Sequence, residues 1–504
     1  MSRLSVGEMT KAIDWSGIAG EAARRFGVRR FRPGQRDLID AALAGRDALG
    51  ILPTGGGKSL TYQIPALFLP RAVVVVSPLL SLVQDQRGKA EAARIDVARL
   101  DSTLSSSEER EAVAEIATGG NDLIYVTPER LESPEYLALL RERGVSLLVV
   151  DEAHCISQWG HDFRPAYLGL AEAARALGGP PVLALTATAT PEVVEDIVRQ
   201  LGMRDPQVVQ TGVDRPNLFL EVRRTVNRAM KEQALLELLR AGDGSAIVYC
   251  ATVRKVEELH RWLRRQGENV GRYHGKLKVS EREEMQRWFM SGDVRAVIAT
   301  NAFGLGIDKP DIRLVAHWNF PGSIEAWYQE AGRAGRDGKP ARATLLYRLE
   351  DKRIQSYFLG GKYPDRDESV SVWRALGARS PSLKALVEAS GLGEKRVKVI
   401  VAQLIGAGAV ERKGRALVKV RDLEAVDLQR VLQEYEQRQL DDRERLESMM
   451  RFAQSAACRR RLIREYFGED RGDDCGNCDN CRSGIVRLAS ERPVRDRTAA
   501  AQSP

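Results

Sequence analysis

The segment Pro53-Thr54-Gly55-Gly56-Gly57-Lys58-Ser59 leaves this chain little choice of architecture. It follows an apolar run at 48–52 and precedes a helix-like stretch, so it reads as strand, glycine loop, Lys-Ser and helix, the layout of a phosphate cradle. Glycines let backbone N–H groups approach phosphate oxygens with no Cβ in the way. Thr54, Gly55 and Gly57 would form the cradle, Lys58 would reach the β- and γ-phosphates of ATP, and the Ser59 hydroxyl could ligate Mg²⁺. The strict form of this loop has a glycine five residues before Gly57, where this chain has Leu52.

The rest of the first 350 residues fits that beginning. Short β-rich apolar runs at 73–77, 123–126, 147–150 and 182–185 read as buried strands of a parallel sheet, each followed by helical sequence. Runs at 247–250, 296–299 and 314–317 repeat the pattern beyond a polar joint at 211–217, Thr-Gly-Val-Asp-Arg-Pro-Asn. The fold class is therefore α/β: two lobes, residues 1–212 and 213–350, with a cleft between them. Beyond residue 350 the alternation stops. Helices at 382–390 and 394–405, then a hairpin at 409–420 turning at Lys413-Gly414-Arg415, suggest a winged-helix-like module over 371–425; a small helical linker domain is the alternative. A long charged helix at 423–452 leads into the cysteine cluster, most of both falling in a helical module at 426–485, and 486–504 reads as a disordered basic tail.

Three further constellations carry chemistry. The strand at 147–150 ends in Asp151-Glu152, and an acidic pair at the tip of a parallel strand faces the same crevice as the glycine loop. Asp151 would hold Mg²⁺, largely through water, and Glu152 would take the proton of an attacking water. In the second lobe, Gln329-Glu330-Ala331-Gly332-Arg333-Ala334-Gly335-Arg336 places two arginines three residues apart on one face of a helix turn, able to meet one triphosphate. Charge supplied to a transferring phosphoryl group in this way is worth ~10³–10⁵ in rate; alone, the same residues would be a surface basic turn. Cys458, Cys475, Cys478 and Cys481 can close a tetrahedral Zn²⁺ site, with an iron–sulfur cluster as the alternative. Cys155 and Cys250 read as buried thiols at strand ends, and His274 and His317 as structural.

Composition narrows the setting. No run approaches ~18 apolar residues, so no membrane partner is expected, and the first ten residues lack the apolar core of a signal peptide. Six cysteines in 504 residues do not make a disulfide scaffold, which points to the cytosol. The net charge of +8 is uneven: residues 371–504 carry 26 basic and 20 acidic side chains, a net of +6. Such an end suggests a phosphate-facing appendage, with a merely solvated tail as the alternative.

Taken together the motifs resemble those of the RecQ family of superfamily 2 DNA helicases. Phe31-Arg32-Pro33-Gly34-Gln35 is similar to the family's adenine-recognition segment, which implies nucleotide contacts from Arg32, Gln35 and, in the second lobe, Gln329. Val76-Ser77-Pro78-Leu79-Leu80-Ser81-Leu82, Leu185-Thr186-Ala187-Thr188-Ala189 and Ala302-Phe303-Gly304-Leu305-Gly306-Ile307-Asp308 resemble motifs Ia, III and V. The stretch Ser157-Gln158-Trp159-Gly160-His161-Asp162-Phe163-Arg164 resembles the aromatic loop that sets this family apart. Stacking of unpaired bases on Trp159 and Phe163, at ~1–3 kcal/mol per base, would let the loop report single-strand occupancy to Glu152, with His161 and Arg164 in the same loop; both aromatics could instead be core residues.

The resemblance implies two RecA-like lobes, ATP with Mg²⁺, a structural zinc, and 3′-to-5′ unwinding of forked or junction DNA in recombination and repair. It further implies a monomer on single-stranded DNA, with single-strand-binding or recombination proteins as partners, in a bacterial cytosol at the nucleoid. A nucleotide-gated DNA-binding or annealing factor is the alternative, and an RNA remodeller a weaker one. The chain departs from the family's pattern at Val28, where an aromatic usually stacks on the base, and at Asn301, which opens motif V. It also places the winged-helix-like stretch before the cysteines, and about 20 residues follow Cys481, too few for the usual downstream modules. Strand separation is then expected of the ribbon near Arg412, Lys413 and Arg415.

Overall fold

Strand burial follows the apolar runs closely. The computed structural model describes residues 14–78, 87–88, 90–101, 104–157, 162–304, 307–362, 366–377, 381–406, 408–413, 416–420 and 425–486. In the first lobe β1 (Ala48–Ile51), β2 (Ala72–Val76), β3 (Val97–Leu100), β4 (Leu123–Val126), β5 (Val145–Val150), β6 (Val182–Thr186) and β7 (Gln207–Gln210) form one sheet in the order β3-β4-β2-β5-β6-β1-β7. Every pairing is parallel. Valine-rich strands such as β2 are buried along their whole length, as a sheet covered on both faces requires. Parallel register puts all strand C-termini on one edge, so the glycine loop after β1 and Asp151 after β5 open on the same side.

The second lobe repeats the plan with β8 (Leu218–Arg224), β9 (Ser245–Tyr249), β10 (Val270–Tyr273), β11 (Ala296–Ala299), β12 (Ile312–His317) and β13 (Ala341–Tyr347), ordered β10-β11-β9-β12-β13-β8. The polar joint links β7 of one sheet to β8 of the other. Helix Ile324–Ala331 ends before the arginine pair, so Arg333 and Arg336 lie on the turn beyond it and not on a helix face; Gly332 closes the helix and Gly335 turns the chain at a φ of 60°. Cys155 sits in the short 3-10 turn Ala153–Ile156 and not at a strand end, whereas Cys250 directly follows β9.

Two C-terminal units differ in how they are built in. Helices Arg366–Ala375, Leu383–Ser390 and Glu394–Gly406 with the antiparallel pair β14 (Val410–Lys413) and β15 (Ala416–Lys419) enclose their own apolar core, and an isolated antiparallel bridge joins Ser382 to Ala416. The first of these helices was not part of the sequence reading, which began the unit at 371. The long helix Ala425–Gln454 and the cysteine segment instead share one core with the second lobe: Phe452 lies 4.9 Å from Trp327 and Phe467 5.8 Å from Tyr328, ring to ring. Among the described residues no helix is long and apolar enough to cross a membrane. The expected tail lies outside the described residues apart from Val486.

Candidate active site

Positive φ angles of 82° at Gly55 and 80° at Gly57 fold the loop after β1 into a cradle that L side chains rarely adopt. A Cβ at Gly57 would stand 2.3 Å from Gln35 Nε2, which donates to Gly56 O and Gly57 O at 3.2 and 3.0 Å. Arg32 donates to Gly55 O, and its own N–H donates to Gln35 Oε1 at 2.8 Å. Both residues of the adenine segment thus brace the phosphate loop. Lys58 Nζ donates to Leu52 O at 3.3 Å.

Across the crevice, Glu152 holds a left-handed backbone at φ 48°, ψ 46°, a conformation that costs a non-glycine residue ~1–3 kcal/mol. Its Oε2 is buried, accepts no hydrogen bond among the described residues and lies 3.4 Å from His154 Nδ1. His154 Nδ1 is also 3.0 Å from Thr186 Oγ1, which joins the acidic motif to the end of β6. Burial, and then the Glu152 charge, push the Asp151 carboxyl up to about 7, with Lys58 pulling the other way. Asp151 and Ser59 line the same cavity, and their oxygens suit a hard divalent cation such as Mg²⁺.

The second lobe closes the cleft. Gly27, Val28, Arg29, Arg30, Arg32, Gln35, Thr54, Gly55, Gly57, Lys58, Ser59, Asp151 and Glu152 line one side of a cavity of about 590 Å³, and Ile307, Asp308, Gln329, Arg333 and Arg336 line the other. Arg336 pairs with Asp308 at 2.6 Å. Burial, and then neighbouring Arg333, hold the Arg336 guanidinium below its ordinary pKa, and Asp308 pulls the other way. Ile307 and Asp308 close the motif V stretch, whereas nothing in the local spacing of Arg29 and Arg30 marks them as lining residues. No aromatic ring stands among these lining residues where Val28 does.

Of the aromatic loop, Trp159 and His161 lie outside the described residues. Phe163 is half-buried. Arg164 donates to Pro78 O at 3.1 Å and pairs with Asp162, tying the loop's end to the segment after β2. Cys155 and Cys250 are buried thiols pushed above their ordinary pKa by that burial. His274 and His317 each meet a carboxylate, Glu257 and Glu330, both at 2.8 Å.

The four cysteine Sγ atoms lie within 4.8 Å of one another, compatible with tetrahedral thiolates at ~2.3 Å from one zinc ion. Hydrogen bonds inside the cluster drive the Cys458 thiol down and Cys475 up, and burial pushes Cys481 up to about 12; thiolate ligands for a metal would have to lose their protons as it binds.

Comparison with known proteins covers much of this framework. The DEAD/DEAH box helicase family matches residues 32–197, the helicase conserved C-terminal domain residues 230–338, and the RecQ zinc-binding family residues 418–482. The three-helix unit with β14 and β15 lies mostly between the second and third matched stretches. The chain is 36% identical over 462 residues to the ATP-dependent DNA helicase RecQ of Bacillus subtilis (strain 168), covering 91% of this chain and 66% of that protein, just under two thirds of its length. It is 35% identical over 460 residues to the probable ATP-dependent DNA helicase RecS of the same organism, covering 90% of each. Among solved structures, Mycobacterium smegmatis helicase Lhr, bound to ssDNA and AMP-PNP, matches at a TM-score of 0.55 and 20% identity over 82% of this chain and 61% of that one, a likeness of fold.

Proposed function

Because this chain belongs to the RecQ family of ATP-dependent DNA helicases, we propose that its interlobe cleft hydrolyses ATP and turns lobe closure into 3′-to-5′ movement along single-stranded DNA, opening forked or junction duplex in recombination and repair. One observation carries this reading: a single cavity gathers the glycine loop and acidic pair of one lobe and the arginine pair of the other.

In this reading the loop N–H groups and Lys58 hold the β- and γ-phosphates, and Ser59 and Asp151 would hold Mg²⁺, which when bound would neutralise phosphate charge. Glu152 takes a proton from the water attacking the γ-phosphorus. Arg333 and Arg336 stabilise charge on the transferring group only when the lobes are closed, so hydrolysis and reopening alternate. The segment from Asp162 to Arg164, tied to Pro78, connects strand occupancy to Glu152. The three-helix unit and its hairpin supply duplex contact. The protein acts as a monomer in the cytosol, with single-strand-binding or recombination proteins as partners.

Glu152→Gln tests the chemistry: it should bind a fluorescent ATP analogue as wild type does, yet lose at least about 10²-fold in DNA-stimulated turnover, whereas Lys58→Ala should lose both. Retained turnover in Glu152→Gln removes it as the base. Strand displacement on 3′-tailed and 5′-tailed duplexes tests polarity, and stimulated turnover without displacement favours a DNA-binding or annealing factor instead.

A further inference from the structure

The interlobe joint does more than connect β7 to β8. Arg215, at its centre, spreads one guanidinium over both lobes. Nη1 donates to Thr54 O of the phosphate loop at 2.9 Å and to Gly332 O at 3.1 Å. Nη2 donates to Ala334 O at 3.0 Å and Gly335 O at 2.9 Å, and Nε faces Asn217 Oδ1 at 3.4 Å. All five N–H groups of the side chain are therefore placed. Three of the four carbonyls belong to the turn that carries Arg333 and Arg336. Asn217, from the same joint, grips that turn again at Gly335 O (2.8 Å) and Lys339 O (2.9 Å). The two lobes touch here: a Cβ on Gly332 would lie 3.2 Å from Thr54 Cβ, and one on Gly55 3.3 Å from Arg336 Cγ.

The joint is held in turn from its other flank. Arg460, in the zinc-segment helix Arg459–Tyr466, donates to Arg215 O, Pro216 O and Leu218 O at 3.0, 2.9 and 2.9 Å. Arg464 pairs with Asp214 at 3.0 Å, and Glu469 accepts from Val213 N at 2.8 Å. Arg215 does not line the nucleotide cavity, so any action on hydrolysis runs through the groups it fixes.

We propose that Arg215 is a positioning residue that sets the Arg333/Arg336 turn against the phosphate loop, and that Arg460 of the zinc segment holds Arg215 in place. The proposal rests on the reading that this cleft hydrolyses ATP. A guanidinium pinned to backbone carbonyls on both sides fixes the approach of the arginine pair without touching substrate, and a displacement of about 1 Å at such a site costs on the order of 10²-fold in rate.

The test is a double-mutant cycle in the full chain, with zinc content and thermal melting as checks of folding. Arg215→Gln should lower kcat about 10²-fold while affinity for a fluorescent ATP analogue changes less than about 3-fold. Paired with Arg333→Ala, it should cost nothing further, because its effect passes through that turn. Losses that multiply in the double mutant, or a wild-type kcat in Arg215→Gln, overturn the proposal. If Arg215→Gln does not fold, Arg460→Gln enters the same cycle; it should lose about 10-fold in kcat, again only when Arg333 is present, and an unchanged kcat overturns the relay. A wild-type protein that binds the analogue but never turns over ATP sinks the hydrolytic reading and this proposal with it, a different result from a multiplicative cycle.

Discussion

Gly335 stands between two demands that no other residue type meets together. Its φ of 60° costs an L residue ~1–2 kcal/mol, and a Cβ there would lie 2.4 Å from Asn217 Nδ2 and 2.9 Å from Lys339 O. Arg333 and Arg336 flank it, so the turn cannot relax without moving them. Gly335→Ala should therefore reduce ATP turnover by at least about 10-fold through misplacement of the arginines, measured as DNA-stimulated steady-state hydrolysis; turnover within a factor of about two of wild type would show that the turn is not position-critical. Legibility at this scale divides by how local the chemistry is. Lys58, Asp151 and Arg333 stand out because phosphate chemistry demands them at fixed spacing beside a glycine loop or a strand tip. Arg215 sits in Thr-Gly-Val-Asp-Arg-Pro-Asn, which reads only as a turn, since its carbonyl partners come from residues 54 and 332–335. Arg460 is likewise invisible in sequence: beside Cys458 it looks like part of a basic cluster, yet it faces the joint.

Among elements, β8 is the end strand of the second sheet, and an end strand left open would invite pairing with other chains. The cysteine segment covers it. Leu220 bridges to Cys478, Val222 N donates to Asp479 Oδ2 at 2.9 Å, and Arg459 locks Asp479 through Nε at 2.9 Å. Structural zinc contributes on the order of 10 kcal/mol to folding in small peptides that bind it, so a zinc ion held by these cysteines would secure a sheet edge. Cys478→Ser should lower bound zinc and raise amide exchange across β8 by at least about 10-fold, with β1 as the unaffected reference; a β8 that stays protected while zinc is lost would show the cover to be independent of the metal. The spacing of the cysteines announces a metal site, but not its host. That Phe452, Phe467 and Cys458 share a core with Trp327 and Tyr328 depends on contacts across more than 100 residues, for which no local periodicity exists. The three-helix unit was half legible: the two later helices and the hairpin follow their apolar spacing, whereas Arg366–Ala375 joins them only through side chains such as Val372 and Trp373 buried against them.

For the whole molecule, the basic excess lies away from the motor: residues 371–504 hold a net of +6 out of +8. If the function proposed above holds, a near-neutral body would suit release of single-stranded DNA in every cycle, and a basic appendage lasting contact with duplex. Each phosphate neutralised adds about 0.9 to the slope of log K against log salt concentration. Replacing Arg412, Lys413 and Arg415 with Ala should therefore weaken forked-duplex binding and flatten that slope by up to about 3 units, measured by titration across a salt series; a change below about 1 unit would remove the hairpin from the duplex interface. The two C-terminal units also impose an order on synthesis. The second sheet ends with β13 at residue 347, but the segment that seals its edge and completes its core arrives only at Cys458–Cys481. Between them the ribosome must deliver the three-helix unit, which closes around its own core. At ~5–20 residues per second the interval is roughly six to twenty-seven seconds. For that time the nascent second lobe carries an uncapped strand and an open apolar face, so its maturation is exposed to chaperones and proteases at the very surface that the cysteine segment later covers.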